Sequence, residues 1–184
     1  MSATAGRWVV LLRAVNVGGI VLPMAGFREA LGSVGCARIE SVGASGNAVA
    51  APPARTSPSA LEAAVERTLE RRVGLRTEAF VRTEPEWQGI VAGNPFVQEA
   101  DRDPAHLVAT VLKGAPAPEA WTSLRGAIVG RERVGPGDRH GYFVYPDGIG
   151  RSKLTIAVIE RELGTRGTAR NWNTVRRLAE LATA

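Results

Sequence analysis

The sequence has little of the chemistry that commonly marks an active site. Among 184 residues there is one cysteine, Cys36, so the chain can form no internal disulfide and no cysteine metal cluster. Cys36 lies in SVGCARI, where a helix is predicted to lead into a strand, and we interpret it as a small buried hydrophobic residue. The two histidines, His106 and His140, lie far apart and lack metal-binding spacings, so we predict no metal and no other cofactor.

Long apolar runs and familiar catalytic signatures are also missing. No run approaches the roughly 20 apolar residues that a membrane-spanning helix needs, and no secretory cleavage site follows the N-terminal apolar stretch. The sequence has no Walker loop, although GIGRSK echoes a phosphate-contacting turn, and no serine or cysteine nucleophile motif. We therefore expect a cytoplasmic protein without a membrane partner. Its remaining candidates for acid–base chemistry are Tyr142, Tyr145, Asp147 and Lys153.

Lysine is scarce, although the chain is basic. Only Lys113 and Lys153 are lysines among 23 basic residues, against 18 acidic residues, and the net charge is +5. Residues 151–184 carry seven basic and three acidic side chains. Excess positive charge favours anionic partners, but scattered charge is also typical of a solvated surface.

What is present is an ordinary globular composition, with 45% hydrophobic and 22% charged residues and a mean hydropathy of −0.04. Hydrophobic periodicity and turn residues predict the order β-α-β-β-α-β in the first part of the chain. The predicted strands are residues 7–13, 37–42, 48–52 and 75–83, and the predicted helices are residues 23–34 and 57–73. A short helix near residues 84–91 and a loop through residue 105 follow.

The same order begins again after this connection. The predicted strands are residues 106–112, 127–134, 141–146 and 164–170, and the predicted helices are residues 119–124 and 152–163, with a final helix from about residue 171. We therefore predict an α+β fold of two ferredoxin-like βαββαβ subdomains with a C-terminal helix. The predicted domains are residues 1–83, a connecting helix and loop over residues 84–105, and residues 106–184.

This topology predicts where two groups of polar loops lie. In the first subdomain, strand three is antiparallel and adjacent to strand one, so the loop after strand one should meet the turn before strand three. In the second subdomain, the exits of strands three and four should lie side by side. The candidate ligand-binding residues at these places are Arg13, Asn16, Gly18, Gly19, Ser45 and Asn47 in the first subdomain and Ser152, Lys153, Arg170, Asn171 and Asn173 in the second.

The second group has the features of an anion site. Ser152 could cap a helix that carries Lys153, and Asn171 could cap the last helix, so that two helix N-termini and nearby cations point into one region. Each of these residues also has an ordinary structural interpretation, because Ser and Asn are common helix caps. Asn173 is the residue with the least obvious structural role.

Three segments resemble a known bacterial family. LLRAVNVGG is similar to the signature LLRGINVGG, SGN matches a second motif, and SKLTIAVIERELGTRGTARNWNTVRRLAEL resembles the C-terminal signature of the family named domain of unknown function 1697. The resemblance runs over nearly the whole chain. It implies two intertwined ferredoxin-like subdomains, but no established activity, substrate or cofactor.

The chain departs from the family pattern in its N-terminal loops. Ala14 stands where the family usually has glycine, the segment IVL before Pro23 lacks the usual basic residues, and VGASGN replaces a tyrosine-containing YINSGN. If relatives bind an anion with basic residues of this loop, the resemblance implies that Lys153 and Arg170 must bind it here.

Several functions remain open at this point. We predict a protein that binds a small phosphorylated or carboxylated ligand. The alternatives are an enzyme acting on a small anionic substrate, a nucleic-acid-binding protein, and a scaffold for a partner. Recognition of single-stranded RNA on a ferredoxin-like sheet needs exposed aromatic residues on the central strands. The first strand offers only Trp8, which argues against that mode. The sequence does not specify the oligomeric state.

Overall fold

The computed structural model describes residues 6–16 and 21–184, and the structural statements below refer to these residues. Gly18 and Gly19, two of the candidate ligand-binding residues, lie outside the described residues.

Apart from one additional helix over Val97–Arg102, the described chain follows the predicted order of strands and helices. The strands are β1 (Trp8–Leu12), β2 (Ala37–Ser41), β3 (Asn47–Ala51), β4 (Ala79–Arg82), β5 (Leu107–Leu112), β6 (Arg133–Pro136), β7 (His140–Val144) and β8 (Gly167–Asn171). The helices are α1 (Met24–Ser33), α2 (Pro58–Val73), α3 (Glu84–Ala92), α4 (Val97–Arg102), α5 (Pro118–Gly126), α6 (Ile156–Leu163) and α7 (Trp172–Thr183). This order confirms an α+β fold with two βαββαβ subdomains.

The described chain forms two compact units. The first contains the described residues up to Gly89 together with Arg177–Ala184, and the second contains Ile90–Arg176. Each unit contains one four-stranded sheet. The last residues of α7 therefore belong to the first unit, although the helix begins in the second.

In the first unit the strand order is β2-β3-β1-β4, and β1 is antiparallel to both neighbours. Alternate residues of β1, such as Val10 and Leu12, pack with Phe27 of α1 and Leu69 of α2 in the core of this unit. Helix α2 has the ends that its sequence predicts. Ser57 accepts a hydrogen bond from the amide of Ala60, and Gly74 ends the helix in the left-handed conformation.

In the second unit the order is β6-β7-β5-β8, again with antiparallel neighbours. Val108 of β5 and Phe143 of β7 lie opposite each other and pack against α5 and α6 in the core of this unit. The alternate residues of β5, Leu107, Ala109 and Val111, are also buried. The central strand is consequently apolar on both faces, which explains why its sequence shows no clear alternation.

Three sequence predictions need correction. Helix α4 lies inside the predicted loop over residues 92–105, and the predicted strand over residues 127–134 is displaced, because β6 begins only at Arg133. The helix predicted from Ser152 begins at Ile156 and is capped by Thr155, whose hydroxyl accepts a hydrogen bond from the Val158 amide. A 3-10 turn over Ile149–Arg151 precedes it.

Within the described ranges, no helix combines the length and the apolar character that crossing a membrane requires.

Candidate functional site

The two predicted polar loops of the first unit do meet. β1 and β3 pair with Leu11 opposite Asn47, and the Leu12 amide donates to the carbonyl of Gly46 at 2.8 Å. The side chain of Asn16 donates to the carbonyl of Ala44. The exit of strand one and the turn before strand three therefore form one continuous surface, as the topology predicted.

The two asparagines of this surface, Asn16 and Asn47, form hydrogen bonds with backbone groups of neighbouring segments. Asn16 Nδ2 also donates to the carbonyl of Leu22 at 3.0 Å, and Asn16 Oδ1 accepts from the Leu22 amide at 2.7 Å. Asn47 is buried and donates from Nδ2 to the carbonyl of Val42 at 3.1 Å. These contacts use most of the hydrogen-bonding groups of Asn16. Its main role is therefore structural, and so is that of Asn47.

Arg13 and Ser45 lie at the same end of the sheet. The Arg13 guanidinium is 3.8 Å from the carboxylate of Glu78, and the Arg13 carbonyl accepts a hydrogen bond from the hydroxyl of Thr77. Ser45 is exposed at the tip of the turn. The positive charge of Arg13 is thus partly neutralised by a neighbouring acid.

In the second unit, the exits of β7 and β8 flank the start of β5. The amide of Tyr145, just after β7, donates to the carbonyl of His106 at 2.9 Å. The amide of Trp172, just after β8, donates to the carbonyl of Pro104 at 3.1 Å. The chain segments that lead to Lys153 and to Asn173 therefore leave the sheet at the same end, on either side of β5. We call this end of the sheet, with residues 103–106, 145–155 and 171–173, the β5 entrance.

Asn171 and Asn173 have different roles at the β5 entrance. Asn171 Oδ1 accepts a hydrogen bond from the Thr174 amide at 3.0 Å, which is the capping interaction that the sequence predicted for the last helix. Asn173 is exposed on the first turn of α7, and its side chain makes no hydrogen bond to any described residue. Asn173, unlike Asn171, therefore has no capping hydrogen bond within the described part of the chain.

Ser152 does not cap a helix. Its hydroxyl donates to Glu132 Oε1 and accepts from the Leu154 amide at 2.9 Å, so it stabilises the turn before α6. Glu132 Oε2 is buried without a hydrogen-bond partner among the described residues. The Ser152 hydroxyl has one proton, and it already donates this proton to the Glu132 carboxylate. It can therefore donate to an anionic ligand only if that hydrogen bond is broken.

Lys153 follows in the same turn and is not on a helix. Its ammonium group is exposed and has no hydrogen bond or ion pair within the described part of the chain. Arg131, which lies in the segment before β6, behaves differently, because it pairs with Asp147 of this loop and lowers the pKa of that carboxyl. Lys153 is consequently a positive charge at the β5 entrance that is not neutralised by an ion pair.

Arg170 lies on the other face of the sheet. In the register of β5 with its neighbours, Ala109 pairs with both Arg170 and Tyr142, whereas Asn171 pairs with the core residue Val108. The Arg170 guanidinium donates to the hydroxyl of Thr168 and to the carbonyl of Ala169, each at 2.8 Å. Burial lowers its pKa to about 10. Arg170 and Asn171 therefore lie on opposite faces of the sheet. Asn171 is on the face that packs against the helices.

Sequence reasoning missed an Asp–His pair at the β5 entrance. His106 Nδ1 lies 2.7 Å from Asp103 Oδ2, and both side chains are partly exposed. The segment D-P-A-H contains the only usable signal, since residues at i and i+3 can meet in a turn of this length. No cluster of three potential metal-ligating side chains occurs in the described ranges.

The two tyrosines of the second unit are buried and hydrogen-bonded. Tyr142 donates to the Ile90 carbonyl at 2.8 Å, and burial raises its pKa to about 12. Tyr145 donates to the Leu154 carbonyl at 3.2 Å, and burial and then the charge of Glu132 raise its pKa. Neither phenol ionises near neutral pH, so neither is suited to act as a base there.

Comparisons with known proteins give the family and the fold. The family model described as protein of unknown function (DUF1697) matches residues 6–142. Among solved structures, the chain is similar to conserved bacterial protein SP0830 from Streptococcus pneumoniae, with a TM-score of 0.73 and 16% identity over 97% of this chain and 99% of that chain. No curated protein matches the sequence. At this identity the likeness concerns the fold alone.

Proposed function

The chain belongs to the family of proteins of unknown function designated DUF1697, and within that family we propose that it binds a small anionic ligand, phosphorylated or carboxylated, at the β5 entrance. The observation that carries the proposal is that Lys153 and Asn173 are both exposed there without a hydrogen-bond or ion-pair partner among the described residues. The other predicted polar residues of this end have structural contacts. Ser152 stabilises a turn, Asn171 caps α7, and Arg170 donates hydrogen bonds within β8.

Lys153 supplies the charge. Its loop leaves β7 beside the start of β5, and the Tyr145 hydroxyl ties the loop to the sheet through the carbonyl of Leu154. A hydrogen bond between an ammonium and an anionic oxygen is worth about 1.5–3 kcal/mol. Because no described acid pairs with Lys153, a ligand would not have to displace one.

The start of α7 adds a second favourable element. Asn173 stands in the first turn of this helix, where the partial positive charge of the backbone amides favours an anion. Its side-chain amide can donate two hydrogen bonds. Lys153 follows β7 and Asn173 follows β8, and these are the two strands that flank β5.

A ligand screen with a matched pair of lysine variants tests this proposal. The chain has only two lysines, and Lys113 lies just beyond the opposite end of β5. Lys153→Ala and Lys113→Ala remove the same charge, so any difference between them reports position. We expect phosphate monoesters or small carboxylates to raise the Tm of the protein, as ligands that bind only the folded state do. Calorimetry should show a roughly tenfold loss of affinity in Lys153→Ala and less than a twofold loss in Lys113→Ala.

Two results would contradict the proposal. One is an equal effect of the two lysine variants on every ligand that binds. The other is binding restricted to RNA or DNA, with an affinity that falls steeply as salt is added, which would indicate a nucleic-acid surface.

A further inference from the structure

The first unit contains a cavity of its own, between the end of α1 and the C-terminal half of α2. Its volume is about 330 Å³, and the described residues that line it are Ser33, Thr68, Arg71 and Arg72. Ser33 is the last residue of α1, and the other three residues belong to α2. This volume lies near the lower end of the range for small-molecule sites. One cavity therefore brings together two arginines and two residues with hydroxyl groups.

The two arginines of this cavity, Arg71 and Arg72, have no acidic partner. Neither side chain forms an ion pair within the described part of the chain. Arg72 makes no side-chain hydrogen bond there, and Arg71 donates only from Nε, to the carbonyl of Arg67 at 3.4 Å. The terminal nitrogens of both guanidinium groups therefore make no hydrogen bond to a described residue.

The acidic residues of the two helices do not neutralise this pair. Glu62 and Glu66 each accept a hydrogen bond at 2.8 Å from a backbone amide of β4. Glu70 pairs instead with Arg76, which follows the helix. On α1, Glu29 is exposed and does not line the cavity. The C-terminal ends of α1 and α2 contribute only about −0.5 elementary charge each, so the two guanidinium groups leave the cavity positive.

Thr68 adds a buried hydroxyl group that lacks a partner. The residue is 4% exposed, and its side chain makes no hydrogen bond to a described residue. Buried hydroxyl groups are nearly always hydrogen-bonded, so an exception needs an explanation. The hydroxyl of Thr110 is unpartnered as well, but it is enclosed in the second unit, whereas Thr68 borders the cavity. A ligand in the cavity would supply the partner that the Thr68 hydroxyl lacks.

We propose that this cavity is a second binding site, which takes the phosphate monoester of a small hydroxylated molecule. It does not depend on the anion site at the β5 entrance. One guanidinium group pairs with both oxygens of a carboxylate, whereas the three terminal oxygens of a phosphoryl group can accept from Arg71, Arg72 and Thr68 together. The Ser33 hydroxyl gives its proton to the carbonyl of Ala30 at 2.8 Å, so it can accept a hydrogen bond from a ligand hydroxyl.

A matched pair of arginine variants separates this site from an ordinary helix end. Arg71 and Arg72 lie in the last turn of α2, where the helix dipole favours a cation in any case. Arg125 has the same setting in the last turn of α5, is exposed, and forms no ion pair with a described residue. Arg72→Gln and Arg125→Gln therefore remove the same charge from equivalent places, and only the first of them changes the cavity.

An NMR titration of the full chain with glycerol phosphate measures binding at the cavity itself. The backbone amide signals of the four lining residues should shift saturably. The Kd from these signals should rise roughly tenfold in Arg72→Gln and less than about twofold in Arg125→Gln. Glycerate, which has a carboxylate in place of the phosphoryl group, should bind roughly tenfold more weakly than glycerol phosphate.

Thr68→Val tests the hydroxyl without changing the size of the side chain. Because this hydroxyl has no partner among the described residues, the urea midpoint of unfolding should not fall. The Kd for glycerol phosphate at the cavity should nevertheless rise severalfold. An unchanged Kd in Thr68→Val would show that the hydroxyl does not contact the ligand and would overturn its place in the site.

Lys153→Ala distinguishes this inference from the proposed function. That variant should leave the glycerol phosphate titration of the cavity signals unchanged. The inference fails if glycerol phosphate moves none of these signals, if glycerate binds as tightly, or if the two arginine variants weaken binding equally. In each of these cases the site at the β5 entrance still stands or falls by the comparison of Lys153→Ala with Lys113→Ala.

Discussion

Asn16 and Leu22 are joined by two hydrogen bonds, one in each direction, between the side-chain amide of Asn16 and the backbone of Leu22. The same side chain also donates to the carbonyl of Ala44. Asn16 has φ 56°, a left-handed conformation that asparagine tolerates better than most residues. A polar residue in the exit loop of strand one thus joins three chain segments of the first unit.

Replacement of Asn16 should therefore destabilise the fold. Asn16→Ala removes three hydrogen bonds and leaves a left-handed backbone conformation on alanine, and we expect a loss of about 3 kcal/mol in the free energy of unfolding. Asn16→Gly removes the same hydrogen bonds without the backbone cost, and it should lose about 1 kcal/mol less. Urea unfolding measures both changes. A loss below about 0.5 kcal/mol in Asn16→Ala would contradict the structural role.

The glycine of the SGN turn should tolerate no side chain. Gly46 has φ +70°, and a Cβ atom there would lie 2.7 Å from Leu12 Cβ and 2.6 Å from Val15 Cγ2. Gly43 has φ +62° and no atom within 4 Å of the corresponding position. Gly43→Ala should therefore cost only the backbone term, about 1 kcal/mol, whereas Gly46→Ala should cost at least about 3 kcal/mol. Similar unfolding midpoints for the two variants in urea would show that the contacts of Gly46 are not limiting.

The two asparagines of the last helix should separate stability from binding. Asn171→Ala removes the cap of α7 and should lower the free energy of unfolding by about 1 kcal/mol. Asn173→Ala removes an exposed side chain without a hydrogen bond to a described residue, and it should change stability by less than about 0.5 kcal/mol. In calorimetry with glycerol phosphate, Asn173→Ala should nevertheless weaken binding severalfold. Unchanged affinity in Asn173→Ala would remove this residue from the proposed site.

The buried tyrosines should ionise only at high pH. The folded-state pKa of Tyr142, about 12, lies above the value of about 10 in an unfolded chain. Its contribution to stability is therefore complete below pH 10 and is lost as the pH rises from 10 toward 12. For Tyr142 the full change is about 3 kcal/mol. Urea unfolding of the wild type and of Tyr142→Phe at several alkaline pH values isolates this term. Parallel pH dependences of the two proteins would contradict it.

Much of the fold was predictable because its signals are local. The cap at Ser57 and the left-handed Gly74 delimit α2, and the predicted order of strands and helices is confirmed except for the additional helix α4. The rule that strand three pairs with strand one predicted that their loops meet, and the hydrogen bond between Asn16 and Ala44 shows this contact. Each of these inferences needed only neighbouring residues or a general rule of sheet topology.

The errors arose where apolar residues lie outside regular elements. Leu154 continues the apolar spacing of α6 toward the N-terminus, but it packs into the core from the turn before that helix. Val129 extended the predicted strand over residues 127–134, yet it is 75% exposed. Strand β6 instead places Val134 opposite Phe143, next to the core. Apolar spacing alone does not distinguish these cases.

The amino-acid sequence by itself determined the order of strands and helices, several of the caps, and the end of each sheet at which the polar loops gather, because these depend on short-range periodicity and on the handedness of connections. Only the tertiary structure decided which polar side chains remain available to a ligand. Asn16 and Ser152 donate to groups of their own unit, and the Arg170 guanidinium donates to Thr168 and Ala169. Lys153 and Asn173 make no side-chain hydrogen bond to a described residue. The physical reason is that a hydrogen-bond partner is chosen by distance in space, and the partner of Asn16 or Ser152 can lie 20 or more residues away along the chain.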